Sequence, residues 1–140
     1  MEETLKKLFA ERFGENAQNI VPLEGDASAR KLFRIKGGTR SVIGVVNADR
    51  RENAAFLEFS RHFRGAGLPV PEIYAKDPDK NIYLEEDLGD ITLFGHLSRN
   101  RTGSGFPEAS LEIYRKAVKI LPRFQIKAGK TLDYSFCHPR

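Results

Sequence analysis

The residues best suited to chemistry in this sequence form one short stretch of small side chains followed by cations. It reads Gly25-Asp26-Ala27-Ser28-Ala29-Arg30-Lys31-Leu32-Phe33-Arg34. Small residues allow a backbone to approach a bulky ligand closely, and the N–H groups of a tight turn beside positive charge bind phosphate oxygens. The stretch lacks the Walker A lysine and the GxGxxG spacing, so a plain turn between two strands is the alternative interpretation.

Other arrangements typical of active sites are missing from the sequence. Three scattered histidines and Cys137 have no metal-ligand spacing, and no nucleophile forms a recognisable pair with a base. A single cysteine excludes an internal disulfide framework and favours a reducing compartment. The start of the chain lacks the apolar segment of a signal peptide, and no apolar run approaches the roughly 20 residues of a membrane span. We therefore expect a cytoplasmic protein without membrane contact.

The composition is that of a globular domain with a modest positive charge. Of the 140 residues, 40% are hydrophobic and 30% are charged, and 23 Lys and Arg against 19 Asp and Glu give a net charge of +4. This balance favours a packed core over disorder, and it suits an anionic small ligand. Nucleic acid is the weaker interpretation, because the aromatic residues fall on helix stripes rather than on an exposed sheet.

The spacing of apolar residues predicts an α+β lobe. A helix with Leu5, Phe9 and Phe13 on one face ends at Gly14. Three strands, one helix and two further strands follow, over residues 20–24, 31–36, 41–47, 50–64, 72–75 and 82–86. We predict a five-stranded, mainly antiparallel sheet with one packed helix.

The helix predicted over residues 50–64 has an aromatic stripe. Phe56, Phe59 and Phe63 share one face, which should pack on the sheet. Glu52 lies on the same stripe. A carboxylate at this place needs a cationic partner, or it simply favours the helix N-terminus, and both interpretations stay open.

The last third of the sequence predicts helices and loops. A helix over residues 92–99 and a loop over 100–107 follow the last strand. A longer helix over residues 108–124 contains Pro122, which cannot donate a backbone hydrogen bond and predicts a kink or a break. The broad apolar face of this helix predicts contact with a partner.

Four stretches together resemble a known family. They are residues 25–34, the run from Glu52 to Phe56, Gly67-Leu68-Pro69-Val70-Pro71 and Tyr83-Leu84-Glu85-Glu86-Asp87-Leu88-Gly89. In this order they are similar to the N-terminal lobe of the aminoglycoside phosphotransferase and choline kinase-like family, which is related to the protein kinases. Within it they are most similar to bacterial kinases of cell-wall amino sugars, such as N-acetylmuramate/N-acetylglucosamine kinases. The resemblance implies a kinase-like nucleotide-binding lobe with its hinge over residues 1–90, and the start of a truncated helical C-terminal lobe over residues 91–140.

The resemblance also implies a nucleotide site. Residues 26–30 would be the loop over the ATP phosphates, and Glu52 would match the helix carboxylate that orients a phosphate-binding lysine. Residues 84–88 would be the hinge whose backbone meets the adenine edge, and Val42 would line the slot for the adenine faces. The implied cofactor-binding residues are Asp26, Ala27, Ser28, Ala29, Arg30, Arg34, Val42, Glu52, Leu84, Glu85, Glu86, Asp87 and Leu88.

The sequence departs from the family pattern in two respects. The strand that should contain the phosphate-pairing lysine, residues 41–47, has no lysine, and Arg30, Lys31 and Arg34 are the candidates to replace it. No His-x-Asp and no later metal-binding Asp motif occurs, so the resemblance places the catalytic and Mg²⁺-binding residues in a lobe beyond this sequence. We assign no catalytic or metal-binding residue within it and expect the fragment to be inactive alone.

The predicted function is that of the ATP-binding portion of a small-molecule phosphotransferase. Such an enzyme transfers the γ-phosphate of ATP to a sugar or amino-sugar hydroxyl with the help of Mg²⁺. The alternative is a stand-alone, non-catalytic module that binds a nucleotide or a protein partner. The expected partners are ATP and a small-molecule acceptor, without nucleic acid, and the oligomeric state stays open.

Overall fold

The computed structural model describes residues 1–23, 29–100 and 107–137, which form helices and strands in the predicted α+β order. The elements are α1 (Glu2–Phe13), β1 (Asn19–Leu23), β2 (Lys31–Lys36), β3 (Ser41–Val46), α2 (Arg50–Gly65), β4 (Ile73–Asp77), β5 (Ile82–Glu86), α3 (Leu93–Asn100) and α4 (Glu108–Pro122). A π-helical segment over Arg123–Ala128 follows α4 directly, and short 3-10 turns over Gly129–Thr131 and Tyr134–Phe136 come after it.

The five strands form a single antiparallel sheet in the order β1-β2-β3-β5-β4. This confirms the predicted five-stranded α+β sheet. The glycine pair at residues 37–38 connects β2 to β3, and the N–H of Gly37 donates to the carbonyl of Arg40 at 2.9 Å. The chain between β3 and β5 contains α2 and the edge strand β4, so β3 and β5 become neighbours in the centre of the sheet.

Helix α1 covers one face of the sheet. Its fully buried Leu5 and Phe9 pack against side chains of the central strands, namely Phe33, Ile35, Val42, Ile82 and Leu84. Gly14 ends the helix in the left-handed conformation, with φ 70°, as predicted. The sheet therefore carries a helix on each face rather than one packed helix, and the nearly continuous apolar run of β3 reflects burial on both sides.

Helix α2 covers the opposite face. Phe56 and Leu57 pack against a second core cluster made of Ile43, Val45 and Tyr83. The prediction that all three phenylalanines of the stripe pack on the sheet is only partly correct. The remaining two, Phe59 and Phe63, lie outside this cluster, are half-buried, and contact each other with ring centroids 6.4 Å apart.

The start of α2 is fixed by its N-cap. The side chain of Asp49 accepts hydrogen bonds from the backbone N–H groups of Arg51 and Glu52, at 2.9 and 3.0 Å. A carboxylate at this place satisfies two backbone donors that the helix itself leaves without acceptors. Glu52 therefore lies in the first turn of a helix that begins immediately after β3.

The described chain divides into two compact units, Met1–Asp87 with the tail from Asp133, and Leu88–Leu132. In the second unit α4 ends at Pro122, where a kink or a break was predicted, and the chain continues directly into the π-helical segment. Phe94 and Val118 of this unit are exposed, and Ala128 is its one buried apolar side chain among the described residues. No helix in the described ranges is both long and apolar enough to span a membrane.

Candidate nucleotide-binding site

The centre of the candidate site is an ion pair between Arg30 and Glu52. Arg30 Nε donates to Glu52 Oε1 at 2.7 Å, and Arg30 Nη2 contacts the same oxygen. The two side chains remain 30% and 36% exposed, so the pair is accessible to a ligand from solvent. Of the two interpretations of Glu52, the structure favours the one with a cationic partner.

Two aromatic rings support the guanidinium of Arg30. Its central carbon lies 5.3 Å from the centroid of the Phe56 ring, a cation–π contact. The Phe56 ring in turn stacks on Tyr83 of β5 with centroids 5.5 Å apart. Glu52 and Phe56 are one helical turn apart on α2. A single face of the helix therefore provides both the ion pair and the cation–π contact with the guanidinium of Arg30.

Sequence reasoning missed Asn47, which binds the second oxygen of Glu52. Asn47 follows β3, is only 1% exposed, and its Nδ2 donates to Glu52 Oε2 at 2.9 Å. The hydrogen bonds from Asn47 and then from Arg30 hold the pKa of the Glu52 carboxyl below its ordinary value. The sequence does contain a signal for Asn47, because a polar residue here ends an apolar strand. The two-residue period of a strand places it on the same face as Ile43 and Val45, which contact α2.

The other two candidate cations have different surroundings. Lys31 is exposed. Because it is two residues from Phe33, it lies on the same face of the sheet as Phe33, which is the α1 face, opposite to Glu52. Arg34 forms a bidentate ion pair with Asp87, with Nε to Oδ2 at 2.8 Å and Nη2 to Oδ1 at 3.0 Å. Arg30 is therefore the candidate that the structure brings to Glu52.

The pair of Arg34 and Asp87 fixes the chain where it leaves β5. The two side chains are only 16% and 9% exposed, and the hydroxyl of Ser41 donates to the same carboxylate. These contacts tie the predicted hinge to the ends of β2 and β3. Arg34 thus binds the segment predicted to be the hinge, whereas its sequence position had suggested the phosphate corner.

Glu85 places a second carboxyl group on the α2 face of the sheet. It lies opposite Ile43 in the register of β3 and β5. Its Oε2 atom is buried and has no hydrogen-bond partner among the described residues. Burial raises the pKa of this carboxyl to about 7, against the opposing effect of Arg30.

The remaining predicted residues lie in several places. Val42 and Leu84 are buried in the cluster under α1, so their side chains are on the opposite face from Arg30 and Glu52. The backbone N–H of Glu86 donates to the carbonyl of Glu72 at 2.8 Å. Ala29 and Leu88 are exposed. Asp26, Ala27 and Ser28 lie outside the described residues.

Two other features bear on a ligand site. A cavity of about 850 Å³ lies between α2 and the β4–β5 hairpin, and its lining includes Asn53, Leu57 and Tyr83 but not Arg30 or Glu52. Within residues 1–23, 29–100 and 107–137, no three His, Cys, Asp or Glu side chains form a group that would hold a metal ion. Arg30 is therefore the described side chain that best suits phosphate oxygens.

The sequence is similar to that of a characterised bacterial kinase. It is 31% identical over 128 residues to an N-acetylmuramate/N-acetylglucosamine kinase of Pseudomonas aeruginosa. The match covers 89% of this chain and 36% of the relative, so the chain spans about a third of that protein's length. No family model matches the sequence. The similarity supports a relationship to sugar kinases.

Proposed function

We propose that this chain is the nucleotide-binding portion of an ATP-dependent phosphotransferase that acts on a sugar or amino-sugar hydroxyl. The observation on which this rests is the ion pair between Arg30 and Glu52. A helix carboxylate that holds a cation next to a small-residue sequence is the arrangement that the kinase-like resemblance implies for phosphate binding. The similarity to a sugar kinase supports the class of acceptor.

Each part of the proposed site has a separate task. Arg30 presents a guanidinium, whose planar set of N–H donors suits phosphate oxygens, and Glu52 keeps it in place. For the small-residue stretch before Arg30, most of which lies outside the described residues, we propose contact with the phosphates. The backbone after β5, held by the Arg34–Asp87 pair, meets the base edge, and Ile43 on the α2 face is a better candidate than Val42 to contact the base. ATP supplies the transferable phosphoryl group when bound.

Phosphoryl transfer itself needs groups that the described residues do not provide. The acceptor hydroxyl must lose its proton to a base, and Mg²⁺ must neutralise the phosphate charge. We place both functions in a second lobe of the natural protein. We also propose that the family is that of the aminoglycoside phosphotransferases, with residues up to Asp87 as a kinase-like N-terminal lobe.

Replacement of Arg30 tests the proposal. In the natural protein, Arg30→Met should raise the Kd for Mg·ATP at least about tenfold, because a charge-assisted contact contributes about 1.5–3 kcal/mol. The Kd for adenosine, which has no phosphate, should stay unchanged. Both constants are measured by isothermal titration calorimetry.

Arg61→Met is the matched control. Arg61 also pairs with a glutamate of α2, Glu58, but it has no described contact with Arg30 or Glu52, and its side chain is 72% exposed. It should leave both dissociation constants unchanged. An ATP affinity within twofold of the wild-type value in Arg30→Met would remove the phosphate-binding assignment.

A non-catalytic nucleotide-binding module is the second candidate, because the sequence contains no His-x-Asp. The mass of the natural protein distinguishes the two. A mass well above 15.8 kDa, with phosphate transfer from ATP to N-acetylglucosamine or N-acetylmuramate, supports the enzyme. A natural mass of 15.8 kDa, with nucleotide binding and no transfer, supports the module.

A further inference from the structure

Asn47 is a buried residue between β3 and α2 that makes several hydrogen bonds. Its side-chain Oδ1 accepts from the N–H of Asp49 at 3.1 Å, and its carbonyl accepts from Asn53 Nδ2 at 2.9 Å. Its backbone N–H donates to the carbonyl of Asn81 at 3.2 Å. The side-chain Nδ2 donates to Glu52 Oε2, as described above. The backbone and side chain of Asn47 thus fix the loop before α2, the helix start and the Glu52 carboxylate together.

The two oxygens of Glu52 are divided between two partners. Oε2 accepts from Asn47 and Oε1 accepts from Arg30. Because a carboxylate is planar, fixing one oxygen by a short hydrogen bond restricts where the other oxygen lies. Asn47 is almost fully buried, whereas Arg30 and Glu52 are each about one-third exposed, so the buried amide is the rigid end of this chain of contacts.

We propose that Asn47 is a positioning residue, which holds Glu52 so that Arg30 points at the nucleotide phosphates. This inference rests on the proposed function. The residue after β3 is then an amide, Asn47, which binds the Glu52 carboxylate. The cation comes from Arg30, directly before β2. The purely structural alternative is that Asn47 only fixes the start of α2 through Asp49 and Asn53.

Two substitutions separate these roles. Asn47→Ser keeps a hydroxyl that can accept from the N–H two residues on, but it is too short to reach Glu52. Asn47→Asp keeps the shape and the Oδ1 acceptor, but it replaces the donor to Glu52 by a second acceptor. The matched control is Asn53→Ser, which removes a buried amide bonded to the same loop and touches neither Glu52 nor Arg30 in any described contact.

The readout is the ratio of the Kd for adenosine to the Kd for Mg·ATP in the natural protein. A change in folding stability alone alters both constants alike and leaves the ratio constant. We expect the ratio to fall at least about fivefold in Asn47→Ser and further in Asn47→Asp, and to stay within twofold of wild type in Asn53→Ser. The thermal midpoint of each variant, measured in parallel, identifies variants that do not fold.

The outcomes distinguish this inference from the proposed function. If Arg30→Met lowers the ratio but both Asn47 variants keep it within twofold, Asn47 has only a structural role and the inference is overturned. If wild-type protein does not bind ATP, or Arg30→Met keeps the ratio, the proposed function itself fails. If Asn47→Asp does not fold, Asn47→Ser decides alone.

Discussion

At the start of α2, a single carboxylate connects a buried amide to a half-exposed guanidinium. Glu52 accepts from Asn47 on one oxygen and from Arg30 on the other. Removal of either donor leaves a carboxylate with one fewer partner in a partly buried site, and its pKa should rise towards the ordinary value. The geometry of this group therefore depends on residues from three elements of the chain.

The sequence indicated part of this site. Periodicity placed Glu52 on the inner stripe of its helix, which is a local property of the helix. Alternation separates Lys31 from the other two cations, but the choice between Arg30 and Arg34 was not local, because it depends on partners from α2 and from the end of β5. Asn47 was missed for the same reason, since its partners are fixed only when β3 ends directly before the helix.

Glu85 should make stability depend on pH. Burial raises the pKa of its carboxyl from the ordinary 4.5 to about 7. Between these values the folded state keeps a proton that the unfolded chain has lost, so the free energy of unfolding falls as pH rises from about 4.5 to about 7. Glu85→Gln removes this pH dependence. Its free energy of unfolding relative to wild type should therefore increase by up to about 3 kcal/mol between pH 4.5 and pH 8 in urea titrations.

Glu58 provides a control of opposite sign. The hydrogen bond from Arg61 lowers the pKa of the Glu58 carboxyl. Stability from this group is present above its unfolded pKa and is lost as pH falls. The pH slope of Glu58→Gln relative to wild type should therefore be opposite to that of Glu85→Gln, and equal slopes for the two variants would contradict the assignment of the buried proton to Glu85.

At the scale of elements, a five-stranded sheet lies between two helices of different character. Strand alternation and the glycine turn were sufficient to predict β1, β2, β3 and β5 closely, because each depends on short-range pattern. The position of α1 against the sheet was not predicted, since an amphipathic helix specifies an apolar face but not its partner. Its close approach is made possible by a glycine in β3.

Gly44 lies where side chains of α1 and β2 pack tightly against β3. A Cβ atom at this residue would lie 2.8 Å from Ile35 Cδ1 and 3.0 Å from Leu5 Cδ2, and both of these side chains are fully buried. Gly44→Ala should therefore lower the free energy of unfolding by about 1–3 kcal/mol through overpacking. Urea unfolding followed by circular dichroism measures this change.

Gly65→Ala serves as the comparison for that experiment. Gly65 ends α2, and a Cβ atom there meets nothing within 4 Å. The substitution should be neutral or slightly stabilising, because alanine is the better helix former. A Gly44→Ala protein as stable as Gly65→Ala would show that the side chains of α1 and β2 do not pack tightly at Gly44.

At the scale of the whole molecule, the two compact units differ in how they bury apolar surface. The first unit contains both core clusters. In the described part of the second unit, Phe94 is 79% exposed and Val118 is 62% exposed. Val118 and Leu121, both in α4, are exposed, which agrees with the exposed apolar face predicted for the longer helix.

Limited proteolysis should distinguish the two units of the 140-residue chain. Trypsin should cleave at Arg115, Lys116 and Lys119 of α4 at least about tenfold faster than at sites in β2 and α2, because a helix without a buried core opens at lower cost. Mass spectrometry of the early fragments measures this order. First cleavage within the sheet would contradict the assignment of the stable core to the first unit.

The edge strand β1 affects how copies of this chain behave at high concentration. Among the described residues β2 is its one neighbour, and Pro22, the fourth of its five residues, lies opposite Phe33. Proline has no N–H to offer a further strand, so this exposed rim is a poor template for intermolecular β-pairing. Pro22 thus disfavours pairing of this edge with a strand of another copy, and any redesign of the sheet for expression should retain it.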